Sequence, residues 1–269
     1  MEYITIFLHM PKTGGSTLNG IVRRMYDSDR LYATPDVILD RYGSSWKQVP
    51  DKERWKFARD SFAALPDSKI QNLDAVLGHL WFGWHELTER PCRYVTFLRH
   101  PAHRFISYYN YIRDHRGHPV SEKIQTENLD LQGFMDDQEL SELPENQQTK
   151  FLTGDFNPDL KTLEQATKNI EDHFLLVGFT EHFDADLLRP SQLLDWPQPY
   201  YSRRNTSRAH VSLSDLDVGL VHEIIRQNQL DMALYESVKA RRDARSTTRT
   251  GTFQILNWLR DLLVARRFR

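Results

Sequence analysis

"YITIFLHMPKTGGSTLNGIVRRMY", residues 3–26, is the stretch that decides the architecture. Tyr3 to Leu8 is a short, mainly apolar run rich in β-branched and aromatic residues, the pattern of a strand buried on both faces. Leu18, Ile21, Val22 and Met25 then recur at helical spacing, which predicts a helix over Ser16–Tyr26. Between the two lies a glycine loop. Gly14 and Gly15 let backbone N–H groups approach an anion with no Cβ in the way. The start of the following helix adds unpaired donors and a partial positive charge. Ser16 and Thr17 can donate hydroxyls, Ser16 is placed to cap the helix, and Lys12 supplies a full charge. The order is not that of the common nucleotide loop, whose lysine follows the glycines. A serine-capped glycine turn is the plain structural alternative; the buried strand in front of it favours an anion site.

The same unit recurs further along. "DAVLGHL" (74–80) reads as a short buried strand, and "RYVTFLRHPAHRFISYY" (93–109) as a strand running straight into a helix, with Pro101 where a first-turn proline is tolerated. "FLLVGF" (174–179) gives another buried strand, followed by a helix from "TEHFDADLL". Residues 27–72 are less regular, with charged helix-like stretches around "SWKQVPDKERWKFARDSFAAL" (45–65), 115–173 read as mainly helical and polar, and a helical stretch is expected from Leu213 to about Ala240. Strands alternating with helices predict an α/β domain built on a central parallel β-sheet flanked by helices, P-loop-like at its first loop. Ligands of such sheets lie beyond the carboxyl ends of the strands, so the glycine loop, His79 and Arg99 are expected on one edge. The domain is expected to cover residues 1–240. Residues 241–269 form a basic linker and an amphipathic helix, with Ile255, Trp258, Leu259, Leu262 and Leu263 on one face. Docking on the same domain is the expectation for it, and contact with an anionic membrane surface the alternative.

Bulk composition narrows the field. The chain has 269 residues, 39% of them apolar, enough for a sizeable core, and a formal charge of −2 that argues against nucleic acid as a partner. The average hides a basic tail, since Arg241 to Arg269 contains eight arginines and two aspartates. Cys92 is the single cysteine, so no intrachain disulfide is expected. With no basic leader and no long apolar run, no signal peptide or transmembrane segment is read, and a cytoplasmic location is expected.

Arg99 stands at a strand end, and Ser107 lies about two turns into the next helix. A guanidinium can grip a phosphate by two parallel hydrogen bonds and a serine can add one more. Pairing of Arg99 with a carboxylate is the structural alternative. Together with the first loop, the pair points to a ligand carrying two separate anionic groups. At this point "PKTGGST" and "LRHPAHRFISYY" resemble the 5′-phosphosulfate loop and 3′-phosphate motif of sulfotransferases that use 3′-phosphoadenosine 5′-phosphosulfate (PAPS). The likeness is to the carbohydrate group containing the heparan sulfate and uronyl 2-O-sulfotransferases. "LGHL", "NQQTKFLTG", "FLLVGFTEHFD" and "RRNTSR" follow in the order that group shows, so the resemblance runs from Ile4 to Arg208.

The resemblance implies that Lys12, Thr13, Gly14, Gly15, Ser16 and Thr17 wrap the 5′-phosphosulfate, with Lys12 also acting at the leaving oxygen. It implies that Arg99 and Ser107 hold the 3′-phosphate, and that Asn205, Thr206 and Arg208 close over the nucleotide. His79 matches the histidine proposed as base in that group, where a second histidine often stands two positions earlier; here that position is Leu77. An imidazole can take a proton from a hydroxyl, although from position alone a histidine satisfied in the core is an equal reading. His9 and His100 flank the two anion loops and are given supporting roles on the nucleotide side. The implied reaction is in-line displacement, with PAPS as donor, no metal, and a hydroxyl-bearing acceptor, expected to be a glycan. Aromatic clusters at Trp81, Phe82, Trp84 and His85 and at Tyr108 to His115 are candidates for the acceptor wall, with core packing as the alternative. Two other functions stay open: an ATP- or GTP-dependent phosphotransferase, and a nucleotide- or glycan-binding protein without turnover.

Overall fold

The computed structural model describes residues 2–115, 117–201 and 211–243. The first half of the chain runs β1 (Ile4–Leu8), α1 (Gly15–Met25), β2 (Leu31–Ala33), α2 (Thr34–Tyr42), α3 (Asp51–Ala63), α4 (Asp67–Asn72), β3 (Ala75–Gly78), β4 (Cys92–Leu98) and α5 (Pro101–Arg113). The second half adds α6 (Pro119–Thr126), α7 (Leu131–Asp136), α8 (Gln138–Ser141), α9 (Gln147–Thr153), α10 (Leu160–His173), β5 (Phe174–Phe179), α11 (Phe183–Leu193), α12 (Val218–Gln227) and α13 (Gln229–Asp243).

The strands form one sheet in the order β2-β3-β1-β4-β5, and every pairing in it is parallel. Alternation along each strand splits the core into two layers. Ile4, Ile6, Leu8, Val76, Tyr94 and Leu98 face α3, α9, α10 and α13 through Trp55, Phe62, Phe151, Ala166 and Leu234. Phe7, Ala75, Leu77, Val95 and Phe97 face α1 and α11 through Leu18, Ile21, Val22 and Leu187. A third cluster, with Phe105, Tyr109, Phe134 and Ile224, joins α5, α7 and α12 beyond the sheet edge. Covered on both faces, the strands need the near-continuous apolar runs that the sequence carries.

Four of the five strands were legible from the sequence. β2 was not, because three residues are too few to show a period, and it lies in the stretch that reads as irregular. There α3 falls within the helix-like stretch 45–65, and the structure adds α2 and α4. The first helix starts at Gly15, and its cap is Gly14 at φ 84° rather than Ser16, with no side-chain capping bond. The helical stretch after Leu213 is broken by Asn228, which is fully buried between α12 and α13. α13 runs to Asp243, past the expected boundary at 240. Asn205, Thr206, Arg208 and the expected C-terminal helix lie outside the described residues. Among the described residues, no helix is long and apolar enough to cross a membrane.

In chain order the sheet reverses direction at β1, with β2 and β3 on one side and β4 and β5 on the other. That reversal opens a crevice at the carboxyl ends of β1, β3 and β4. The cavity lies there.

Candidate active site

A cavity of 1490 Å³ is lined by Lys12, Gly14, Gly15, Ser16, Thr17, His79, Arg99 and Ser107, together with a second wall from α2, α3, α5 and α9. Three strand ends thus bring both anion elements and the histidine to one place. Thr13 is the exception within the first loop. It is 2% exposed, and its hydroxyl donates to the Met10 carbonyl at 3.0 Å. The Thr13 side chain therefore shapes the turn from inside.

The two anion elements touch. The Arg99 guanidinium donates to the Lys12 carbonyl at 3.2 Å. Lys12 itself sits at φ 70°, a conformation uncommon outside glycine, which tightens the turn before Gly14. Its ammonium lies 4.1 Å from the centroid of the Tyr111 ring. Burial first, and then the charge of Arg99, lower the Lys12 pKa to about 8. Burial likewise lowers the pKa of Arg99, which stays charged. Two half-buried cations that line the same cavity suit an anionic ligand.

His79 follows β3 and is partly buried. Its Nδ1 lies 3.1 Å from the His9 carbonyl oxygen. A carbonyl can only accept, so Nδ1 carries the proton and the lone pair is on Nε2. Burial, joined by the charges of Arg54 and Lys12 and opposed by the His9 hydrogen bond, holds the His79 pKa down at about 4. The ring is therefore neutral at pH 7, with a free acceptor nitrogen at the cavity wall.

His9 is not simply a nucleotide-side residue. Its ring stacks on His79 with centroids 4.3 Å apart and planes 27° apart. A second histidine does stand beside His79, supplied by the end of β1 where Leu77 occupies the neighbouring position on β3. Burial, with the charges of His79 and Lys12, keeps His9 well below the usual histidine range, so the stacked pair is neutral. The other face of His9 meets the glycine loop: a Cβ placed on Gly15 would come within 1.7 Å of the His9 ring. His9 is thus clamped between the loop and His79. Gly15→Ala is expected to push the His9 ring, and the stacked His79, out of place and to lower any turnover at this site by about tenfold or more, since a shift of about 1 Å at a site can cost ~100-fold. Steady-state rates at saturating donor would check this.

His100 behaves differently. Its ring packs on His103 and Tyr235, each at 5.5 Å, and its N–H donates to Glu181 at 2.8 Å. It precedes the first residue of α5 and is not among the residues that line the cavity.

The candidate acceptor wall splits in two. Tyr108, Tyr111 and His115 line the cavity as expected. Trp84 is in the core at 1% exposure, tilted against Phe62. Phe82 and His85 pack on Tyr94 and His173, and Trp81 stands behind Phe156. The rest of the aromatic wall comes from Trp46, Trp55 and Phe156, accompanied by Lys52, Arg54 and Lys150. Sequence reading missed these residues. Trp55 shares the helical apolar spacing of Ala58 and Phe62, so it reads as core, and it is 6% exposed. Only the packing of α3 across the end of β3 places it 6.1 Å from the His79 ring.

Among the described residues, no three His, Cys, Asp or Glu side chains are grouped to hold a metal ion. The arrangement can bind a doubly anionic ligand along the loop and Arg99, and can take a proton from a hydroxyl presented from the aromatic side.

Comparison with known proteins gives a consistent picture. The chain is 26% identical over 272 residues to heparan-sulfate 6-O-sulfotransferase 1-A of Danio rerio, covering 87% of this chain and 63% of that protein. It is 26% identical over 279 residues to heparan-sulfate 6-O-sulfotransferase 1 of Gallus gallus, covering 88% and 65%. The chain therefore spans less than two thirds of the length of these curated relatives. A mouse sulfotransferase, SULT7A1 complexed with PAP, aligns at a TM-score of 0.40 and 15% identity, over 87% of this chain and 66% of that one. These relatives carry 6-O labels where the sequence motifs resemble the 2-O group, while the wider expectation of a carbohydrate sulfotransferase family holds. The galactose-3-O-sulfotransferase family model matches residues 2–267, nearly the whole chain, and the protein belongs to that family.

Proposed function

We propose that the protein is a PAPS-dependent sulfotransferase that moves a sulfuryl group to a hydroxyl of a carbohydrate acceptor. The observation that carries this reading is one cavity holding the glycine loop with Lys12, the Arg99–Ser107 element and a neutral, tautomer-fixed His79. The chain's likeness to heparan-sulfate 6-O-sulfotransferases supports the same chemistry. Lys12, Gly14, Gly15, Ser16 and Thr17 face the 5′-phosphosulfate, with the turn shaped by Thr13. Arg99 and Ser107 take the 3′-phosphate. The acceptor enters along Trp46, Trp55, Tyr111 and Phe156, whose ring faces suit the apolar faces of sugars.

In the reaction, the acceptor oxygen bonds to sulfur as the bond from sulfur to the bridging phosphate oxygen breaks. The acceptor proton passes to His79 Nε2. The electron pair leaves with 3′-phosphoadenosine 5′-phosphate, and the charge growing on its bridging oxygen is met by Lys12 and the loop N–H groups. Holding donor and acceptor in line supplies much of the remaining acceleration.

The deciding experiment is transfer of labelled sulfate from PAPS to a panel of glycans, phenols and lipids, with ATP and GTP as competing donors. Glycan sulfation supports the reading. Turnover with ATP or GTP and none with PAPS would replace it by the phosphotransferase reading, and tight binding of PAPS or glycan without turnover by that of a binding protein. Arg99→Ala should weaken 3′-phosphoadenosine 5′-phosphate by about 100-fold and adenosine 5′-phosphate by about threefold at most, because a charged hydrogen-bond pair to phosphate is lost only in the first case. Titration calorimetry of both ligands checks this, and equal losses would mean that Arg99 does not read the 3′-phosphate.

A further inference from the structure

A buried polar circuit holds the corner between β4 and α5. The β4–β5 ladder ends at Leu98 opposite Phe179, so Arg99 is the first residue beyond the paired strand. Its backbone is paired all the same. The Arg99 N–H donates to Gln148 Oε1 at 2.8 Å, and Gln148 Nε2 donates to the Arg99 carbonyl at 3.0 Å. One side-chain amide thus replaces a neighbouring strand for a single residue, and Gln148 is 1% exposed.

Gln148 is itself held. Its N–H donates to Asp231 Oδ2 at 3.0 Å. The Thr149 N–H and hydroxyl donate to Asp231 Oδ1 at 2.7 and 2.8 Å. Asp231 also faces Arg104 Nε at 3.9 Å, with both side chains fully buried. Arg104 lies near the start of α5 and donates to Gln147 Oε1 at 2.7 Å. The circuit therefore closes from Arg99 through Gln148, α9, Asp231 and Arg104 into α5, the helix that carries Ser107.

We propose that Gln148 is the positioning residue of the 3′-phosphate clamp: by pairing both backbone groups of Arg99 it aims the guanidinium into the cavity beside Lys12. Without it, the Arg99 peptide groups would turn to find other partners, because buried backbone donors and acceptors do not stay unpaired. That turn would swing the side chain away from its place against the Lys12 carbonyl. The helix start after Gly14 keeps its own backbone bonds, from the Thr17 and Leu18 N–H groups to the Gly14 carbonyl, and meets this corner through the Arg99 bond to the Lys12 carbonyl. This inference rests on the donor reading above.

The test uses the full chain, with Gln148→Met to remove both amide bonds at similar volume and Gln148→Glu to keep only an accepting oxygen. Thermal unfolding establishes that the variants are folded. Calorimetry measures 3′-phosphoadenosine 5′-phosphate and adenosine 5′-phosphate on each, alone and combined with Arg99→Ala. The expected result is a rise of about tenfold in the bisphosphate Kd for Gln148→Met, corresponding to ~1.4 kcal/mol, with the monophosphate Kd changed less than about twofold. Gln148→Glu should fall between it and the wild type. In the Arg99→Ala background Gln148→Met should add little, since both changes remove the same contact. Equal losses on the two nucleotides, or full additivity with Arg99→Ala, would reduce Gln148 to a structural residue and overturn the proposal. A wild type that prefers the bisphosphate while Gln148→Met keeps that preference would overturn it too, leaving the donor reading intact. A wild type with no preference between the nucleotides would overturn the donor reading itself, and this inference with it. Should Gln148→Met fail to fold, the same comparison on Gln148→Glu decides.

Discussion

His79→Ala is expected to abolish sulfuryl transfer, with a loss on the order of 10²–10⁴-fold in kcat, while the Kd for 3′-phosphoadenosine 5′-phosphate stays within about threefold. The reason lies in the tautomer. With Nδ1–H committed to the His9 carbonyl, Nε2 is the only ring nitrogen that can accept a proton. A group whose pKa is lowered to about 4 is ionised only below that pH. The base form is therefore fully present at neutrality, and the acid limb of kcat/KM, which reports the free protein, should fall near pH 4 rather than near the ordinary histidine value. Bound donor brings negative charge beside the ring, and an opposite charge favours the protonated form, so the acid limb of kcat should lie at higher pH. Rate profiles between pH 4 and 8 separate the two limbs. Transfer that survives His79→Ala at more than about a tenth of the wild-type rate would show that another group takes the proton.

Lys12→Met is expected to lower kcat by about 10²–10³-fold, the usual cost of removing one donor aimed at developing negative charge. Its charge also sets an alkaline limit. The Lys12 pKa is lowered to about 8, so the ammonium is present below that pH and is lost above it. Affinity for the bisphosphate should therefore fall as pH rises through 8 in the free protein. Lys12→Arg should bind the bisphosphate almost equally at pH 7 and pH 9, because a guanidinium does not titrate there. Calorimetry at the two pH values checks the sign. An unchanged wild-type affinity at pH 9 would place the Lys12 charge away from the ligand.

Much of the site was readable because its parts are local. A glycine pair behind a buried strand, and an arginine at the end of another, are each complete within a few residues, and the strand periodicity needed no partner to be seen. The contributions that were missed come from distant segments. β2 is too short to carry a pattern. Trp55 has the helical spacing of a core residue and becomes cavity wall only through the path of α3. His9 reads as a loop flank, yet it stacks on His79, 70 residues away. Gln148 sits in a polar helix with nothing in its neighbours to suggest that its amide closes the end of β4.

The sequence by itself determined the α/β class, four of the five strands and most of the glycine-loop, Arg99 and Ser107 residues that line the cavity. Backbone dihedrals and short-range hydrophobic periods are properties of contiguous residues. Only the tertiary structure decided what those residues do to one another. It put the lone pair of His79 on Nε2, joined Arg99 to Lys12, added Trp46, Trp55 and Phe156 to the cavity wall beside Tyr108 and Tyr111, and moved Trp84 into the core. Burial, tautomer and charge proximity depend on which segments meet at the strand ends, and the parallel crossovers of the sheet bring together residues that lie far apart in the chain.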